Sequence, residues 1–459
     1  MSAAPDGAAV PRALHALVDC SAFYCSCERV FDPALRSVPV AVLSNNDGCI
    51  VARSQEVKDL GIPMGAPFFQ HEAALAAAGV RVFSSNYTLY GDMSQRVMET
   101  LLSLTPDVQP YSIDEAFLTL PTCGRSAGEV RARALELARE VRARVLRWTG
   151  IPVRVSVAAT RTLAKAASEY ARAQLQAGGE PVVVFWGHPD REAWLERLPV
   201  GDVWGVGRRW AATLEALGAP TAARFARLPD AVVRRHLSVI GLRTALELRG
   251  VPCARLDDAP VRRTLVRSRS FGEPVEALET LRQAVATHAA RAAETLRREG
   301  LAAGRIAAFL TTKGYGAGPH HAGRAERVLG VATSATPDLL RAALAALAQA
   351  HRPGHGYKKA GVMLSDLRPA GLAQLALFPD AVRASAPDRA ERLDRLMAAV
   401  DGLNRKHGRG AVVFGSMGTP RGLQRTRDGS AEAPRWEMRR ERMTPRYTTR
   451  WDEIGRVRA

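Results

Sequence analysis

PYSIDEAFLTL, residues 110–120, reads as a strand in all but two places. Tyr111, Ile113, Phe117, Leu118 and Leu120 call for a packed surface, yet Asp114 and Glu115 stand side by side among them. A buried carboxylate is costly unless it is paired or bound to a cation. A regular strand points neighbouring side chains to opposite faces, so both acids can serve one site only where the chain turns or twists, as at a hairpin tip. A third carboxylate, Asp19, nearly ends another apolar run, ALHALVDC (13–20). Three carboxylates meeting at one sheet edge would repel one another, and divalent cations relieve that repulsion. Mg²⁺ takes few carboxylates together with water and phosphate oxygens. Two such ions about 3.5–4 Å apart can activate an attacking oxygen and stabilise a leaving one. For an Asp-Glu pair taken alone, exposed turn acids or partners of nearby arginines are the commoner outcome.

Charge narrows the choice. The 459 residues carry 64 Lys and Arg against 46 Asp and Glu, a formal net charge of +18. An excess of that size attracts polyanions, of which nucleic acid is the commonest. At 47% hydrophobic and 24% charged residues, the composition is that of a globular chain with a sizeable core. The length suits roughly three domains. No apolar run reaches the roughly 18 residues of a membrane span. The N-terminal MSAAPDGAAVPRA lacks the basic and apolar segments of a secretion signal. The six cysteines are scattered, and CSC at 25–27 is too tight for a structural zinc pair. Reduced thiols and a cytoplasmic location are expected.

Element signals alternate along the chain. ALHALVDC, PVAVLS and CIVAR have strand character, the last two joined by the turn-rich NNDG at 45–48. Ser126 with Glu129 matches a capping box that opens a helix through RARALELAREVRARVLRW. IPVRVSVAAT alternates as a strand, and RTLAKAASEYARAQL has helical spacing. The mixture predicts an α+β fold, a sheet layered on helices. Boundaries are expected near 176–181, 249–260 and 366–380.

LVDCSAFYCSCE (17–28), PVAVLSNNDGCIVAR (39–53) and YSIDEAF (111–117) together closely resemble the Y family of translesion DNA polymerases, and within it the UmuC-type branch. The likeness continues through FSSNYTLYGDMS (83–94), VWGVGRR (203–209), SRSFGE (268–273), KKAGVML (358–364), QLALF (374–378) and MTPRYTTR (443–450). Only the first dozen residues and the stretch near 379–390 fall outside it. The resemblance implies a right-hand polymerase with a ferredoxin-like palm (13–38 and 80–178), small fingers (39–79) and a helix-hairpin-helix thumb (179–252). It further implies an α/β little finger (255–368), then a clamp-binding linker and C-terminal extension (369–459).

The implied reaction is error-prone, template-directed incorporation of dNTPs opposite damaged DNA during the SOS response. Asp19, Asp114 and Glu115 match the catalytic carboxylates that hold two Mg²⁺ ions, with the backbone carbonyl of Cys20 as a further metal contact. Tyr24 matches the steric gate that clashes with a ribose 2′-hydroxyl, and Phe23 precedes it. Lys58 and Arg172 stand where relatives bind the triphosphate. Ala52 and Gln55 replace the Thr and Tyr that many relatives place there, which Asn46 and Arg53 would partly offset. Lys165 is either a second cation on the helix of Arg172 or part of a solvated face. Gly205, Gly207 and Arg208 resemble the thumb turn that holds DNA phosphate. Gln374, Leu375, Leu377 and Phe378 resemble a sliding-clamp motif. Partners implied are damaged primer-template DNA, dNTPs, the sliding clamp, an accessory dimer of the UmuD′ type and the RecA filament. Two rival readings are an inactive polymerase-like adaptor, against which all three carboxylates speak, and a two-metal nuclease.

Overall fold

The structure, a computed structural model, describes residues 10–123, 125–254, 262–314, 320–370, 386–408, 410–418 and 438–454. Among them the strands are β1 (Ala13–Cys20), β2 (Val40–Leu43), β3 (Ile50–Arg53), β4 (Arg81–Ser84), β5 (Val108–Pro110), β6 (Glu115–Pro121), β7 (Val153–Ala158), β8 (Val182–Val184), β9 (Thr264–Val275), β10 (Leu301–Thr312), β11 (Ala322–Thr333) and β12 (Tyr357–Pro369). The described residues form two compact units. One takes those within Met1–Ser44, Gly48–Ala259 and Arg442–Ala459, the other those within Asn45–Asp47 and Pro260–Glu441.

The first unit is built on a five-stranded sheet in the order β5-β6-β1-β7-β8. Its central strand, β1, is antiparallel to both neighbours. Period-two alternation sorts its side chains between two cores. Leu14, Ala16, Val18 and Cys20 face helices Tyr87–Leu102 and Ala127–Thr149, which supply Leu89, Tyr90, Val97, Val130, Val141 and Val145. Leu17 faces the other side, where helix Arg161–Gln176 brings Leu163, Ala164, Ala167 and Tyr170. The expected capping box opens the Ala127 helix: Glu129 N–H donates to Ser126 Oγ (3.4 Å), and Ser126 N–H donates to Glu129 Oε2 (2.8 Å). The helix ends at Gly150, whose φ of 74° is the left-handed stop that glycine adopts without strain.

PVAVLS and CIVAR form β2 and β3, as their composition indicates, and β4 joins β2 in parallel. This small sheet has its own core of Ala41, Leu43, Ile50, Val57, Phe68 and Leu75. Helices Arg191–Arg197, Arg208–Ala216, Ala222–Arg227 and Asp230–Leu248 follow, and they pack into the core shared with Arg161–Gln176.

The second unit is an antiparallel sheet, β11-β10-β12-β9, with helices Leu278–Arg298 and Thr336–Ala350 against it. Small residues let these helices lie close: Ala284, Ala289, Ala292, Ala293, Ala343 and Ala346 are all buried in their core.

Candidate active site

Strand register brings the site together. Residues directly opposite on antiparallel strands point to the same face. Asp19 pairs with Glu115 across β1 and β6, and with Arg154 across β1 and β7. A row Glu115–Asp19–Arg154 therefore crosses three strands on the face of Leu17, the face covered by helix Arg161–Gln176. Asp114 precedes the strand, in a bend where Tyr111 and Ser112 N–H both donate to the Glu115 carbonyl (2.9 and 3.1 Å). Its own carbonyl accepts from Cys20 N–H at 2.9 Å, which ties the bend to the end of β1. The adjacent acids thus converge because one begins a strand and the other ends a turn.

Hydroxyls and cations hold the carboxylates. Ser112 Oγ donates to Asp114 Oδ1 (2.6 Å) and lies 3.4 Å from Glu115 Oε2, so the two acids share one hydroxyl's reach. Arg154 donates to Asp19 Oδ2 at 2.7 Å, with Ser168 Oγ 3.4 Å from the same oxygen. Lys165 Nζ donates to Glu115 Oε1 at 2.6 Å and sits 4.5 Å above the Tyr111 ring. These side chains are mostly shielded from water, at 12–19% exposure, where ion pairs feel little salt screening. Burial, then the charges of Asp19, Asp114 and Glu115, push the Cys20 thiol well above its usual range. Tyr111 accepts a hydrogen bond on its hydroxyl from Trp204 Nε1 (2.9 Å), which anchors the bend to the segment after helix Arg191–Arg197.

The remaining nucleotide-site candidates divide. Tyr24 is half-buried and stacks on Tyr90 with centroids 4.4 Å apart and planes 16° from parallel. Burial first, then Tyr87 and Asp114, raise its hydroxyl above the usual range. Phe23, its neighbour, is only 3% exposed and belongs to the main core, so it supports the helix and does not offer its ring to solvent. Lys58 is partly buried; burial, then Arg154, Arg53 and Arg172, lower its pKa. Three arginines therefore lie within electrostatic reach of Lys58. Arg172 is half exposed and pairs along its own helix with Glu169. Lys165, which helical spacing left open, is turned to Glu115 and not to solvent.

Gly205 takes a φ of 89° in a turn closed by Val206 N–H on the Val203 carbonyl (2.9 Å). Only glycine enters that region cheaply. Gly207 then caps helix Arg208–Ala216 with no side-chain cap, and Arg208 is exposed on its first turn. Gln374, Leu375, Leu377 and Phe378 lie outside the described residues.

Arg154 was the residue that pattern reading passed over, although its signal is the same as that of the acids: one charge in an otherwise apolar strand, IPVRVSVA. Its partner became visible only with the β1–β7 register. The donor set fits Mg²⁺, being carboxylate oxygens with a backbone carbonyl, that of Cys20, next to Asp19 in sequence at the end of β1, hard ligands for a hard ion. Among the described residues, no three His, Cys, Asp or Glu side chains are gathered for metal binding as they stand. Asp19 and Glu115 are turned onto Arg154 and Lys165, so these pairs would have to open for the carboxylates to hold metal.

The chain resembles known proteins over most of its length. The chain matches the impB/mucB/samB family over residues 18–169 and that family's C-terminal domain over 262–377. Residues 394–457 match a domain of unknown function, DUF4113. It is 43% identical to Protein UmuC of Salmonella typhimurium over 450 residues, 97% of this chain and all of that protein. It is 40% identical to Protein SamB of the same organism, over 96% of this chain and 99% of that one. DNA polymerase IV of Caulobacter vibrioides is 28% identical over 87% of this chain and 92% of its own length. A solved chimera of the Y-family DNA polymerases Dbh and Dpo4 shares the fold, with a TM-score of 0.57 at 17% identity, covering 77% of this chain and 98% of the chimera. The chain therefore belongs to the impB/mucB/samB family and is a DNA polymerase of the UmuC-type branch of the Y family.

Proposed function

We propose that this polymerase extends primers across damaged template by two-metal phosphoryl transfer at Asp19, Asp114 and Glu115. The observation that supports it is the row Glu115–Asp19–Arg154 across three strands, with Asp114 brought beside it by the bend. Bound at these carboxylates and the Cys20 carbonyl, Mg²⁺ would supply charge neutralisation for phosphoryl transfer. The chain's own residues do the rest. Asp19, Asp114 and Glu115 bring carboxylates to one end of the central strands. Lys58, Arg53, Arg154 and Arg172 form the cationic wall suited to a triphosphate. Tyr24, stacked on Tyr90, places an aromatic floor where a 2′-hydroxyl would clash. The turn at Gly205 and Gly207, with Arg208, offers backbone N–H groups and a cation to DNA phosphate without reading sequence.

The proposal extends to organisation and partners. Residues 13–38 and 80–178 act as palm, 39–79 as fingers, 179–252 as thumb, 255–368 as little finger and 369–459 as linker and extension. The enzyme works in the cytoplasm on damaged nucleoid DNA in the SOS response, with a UmuD′-type dimer, RecA filaments and, through QLALF, the sliding clamp. Support for these partners is the family membership alone. Among the described residues no helix is long and apolar enough to cross a membrane.

Primer extension with Mg²⁺ and four dNTPs, with and without a UmuD′-type dimer, tests the core of the reading. Asp114→Asn and Glu115→Gln should each cost at least about a thousandfold in extension, roughly 4 kcal/mol of transition-state stabilisation. DNA affinity should hardly change, because basic surfaces supply most of it, and it should fall steeply with salt. Normal extension by Asp114→Asn would remove the assignment. Primer degradation would point to a nuclease, and binding without extension to an adaptor.

A further inference from the structure

The C-terminal strap Arg442–Glu453 lies within the matched domain of unknown function, and it is bonded into the same unit as the catalytic carboxylates. Ser84 N–H donates to the Arg442 carbonyl and Arg442 N–H to Ser84 Oγ, both at 3.0 Å. Asn86, 1% exposed, is the N-cap of helix Tyr87–Leu102 through Leu89 N–H. Its side-chain amide lies 3.0–3.1 Å from the Thr444 carbonyl, Thr444 Oγ1 and the Pro445 carbonyl. Tyr447 stacks on Phe31 at 4.8 Å and 5°, and the Arg442 guanidinium sits 4.9 Å from the Phe68 ring centre. Arg446 and Glu453 close the strap on itself.

One contact reaches the nucleotide site. Glu28 is 2% exposed and stands one turn after Tyr24 on helix Phe23–Phe31. Its Oε1 accepts from Tyr90 Oη (2.6 Å) and from Thr444 Oγ1 (3.3 Å). Tyr90 is the ring on which Tyr24 stacks, and Tyr87 meets Tyr24 edge-on at 6.1 Å. Thr444 thus holds the acid that holds the ring beneath the sugar-facing tyrosine. A steric gate excludes a hydroxyl only as firmly as its own ring is fixed, because a ring that can retreat by a fraction of an ångström relieves the clash.

We propose that the strap is a positioning element for sugar selection, in which Thr444, through Glu28 and Tyr90, fixes the Tyr24 ring and so sets how strongly ribonucleotides are refused. The proposal rests on the reading of Tyr24 as the steric gate.

The test uses the full chain and measures kcat/KM for a ribonucleotide relative to its deoxy counterpart on one template. Thr444→Val removes the hydroxyl at nearly constant shape, and Tyr90→Phe removes the tether but keeps the stack. Each should raise the ribo/deoxy ratio about fivefold, about what one hydrogen bond is worth. Thr444→Ser, which keeps the hydroxyl, should restore the original ratio. In a Tyr24→Ala background Thr444→Val should add nothing to the ratio, because the positioned ring is gone. A strap that merely stabilises the fold would lower both activities together and leave the ratio unchanged. If Tyr24→Ala raises the ratio while Thr444→Val and Tyr90→Phe do not, the strap proposal falls and the gate stands. If Tyr24→Ala itself leaves the ratio unchanged, the gate assignment fails and the proposal falls with it.

Discussion

Glu28 should give the folded chain a pH dependence that one substitution removes. Burial raises its carboxyl from the ordinary 4.5 to about 7, opposed by hydrogen bonds from Tyr90 and Thr444. The carboxyl therefore stays protonated in the folded chain over a range where the unfolded chain has already ionised. Its contribution to stability is complete below pH 4.5, declines as pH rises towards 7, and is lost above that value. A rise from 4.5 to about 7 corresponds to about 3 kcal/mol at about 1.4 kcal/mol per pH unit. Neighbouring groups do not blur the window. Tyr90 and Tyr447 are held above their usual range, and the Cys25 and Cys27 thiols are raised, the former to about 12. Glu28→Gln keeps an oxygen to accept from Tyr90 and cannot ionise. Urea midpoints for the two proteins at pH 5, 6, 7 and 8, followed by far-UV circular dichroism, make other titrations common to both. The stability of the variant minus that of the parent should climb with pH through this window and then level off. The offset itself also contains the cost of leaving an amide N–H group poorly paired, so the slope is the measure. A difference that stays flat from pH 5 to 8 would refute the buried, protonated Glu28.

Two other outcomes are expected. Arg154→Gln should lower the Mg²⁺ concentration needed for half-maximal extension several-fold, because Asp19 would no longer be held by a competing cation; a higher requirement in an Mg²⁺ titration would count against that competition. Replacing Leu377 and Phe378 with Ala should leave extension of a short primer intact and reduce clamp-stimulated extension, since a few buried anchors carry such docking and its gain is local concentration; loss of basal activity would make those side chains part of a core.

Much of the site was legible because charge in an apolar run is informative wherever it occurs. Asp19 near the end of ALHALVDC and Glu115 of the pair in PYSIDEAFLTL each meet a cation, and Asp114 meets the Ser112 hydroxyl. Local rules also served well for the Ser126 capping box and the strands at 40–43 and 50–53. What pattern reading could not give was partnership across the chain. Periodicity says which face a residue takes, but not which strand lies beside it. Arg154 meets Asp19 across 135 positions, and Trp204 meets Tyr111 across 93. Phe23 and Tyr24 are neighbours of similar chemistry with opposite fates, one sealed in the core and one stacked at the site, because helical phase divides them. Thr444 reaches Glu28 over 416 positions from a segment with no helical or strand period at all.

The charges also say something about order. Arg154 holds Asp19, Lys165 holds Glu115, and Arg154, Arg53 and Arg172 lie close enough to Lys58 to lower its pKa. Five cations therefore accompany three carboxylates. Metal entering alone would have to strip two shielded ion pairs and leave Arg154 and Lys165 with no anion, which is costly for partly buried charge. A triphosphate would offer those two cations new oxygens if Asp19 and Glu115 turned away to hold Mg²⁺. Arg154 and Lys165 would then keep an anionic partner, so on electrostatic grounds the carboxylates would take up Mg²⁺ more readily with a triphosphate present than without it.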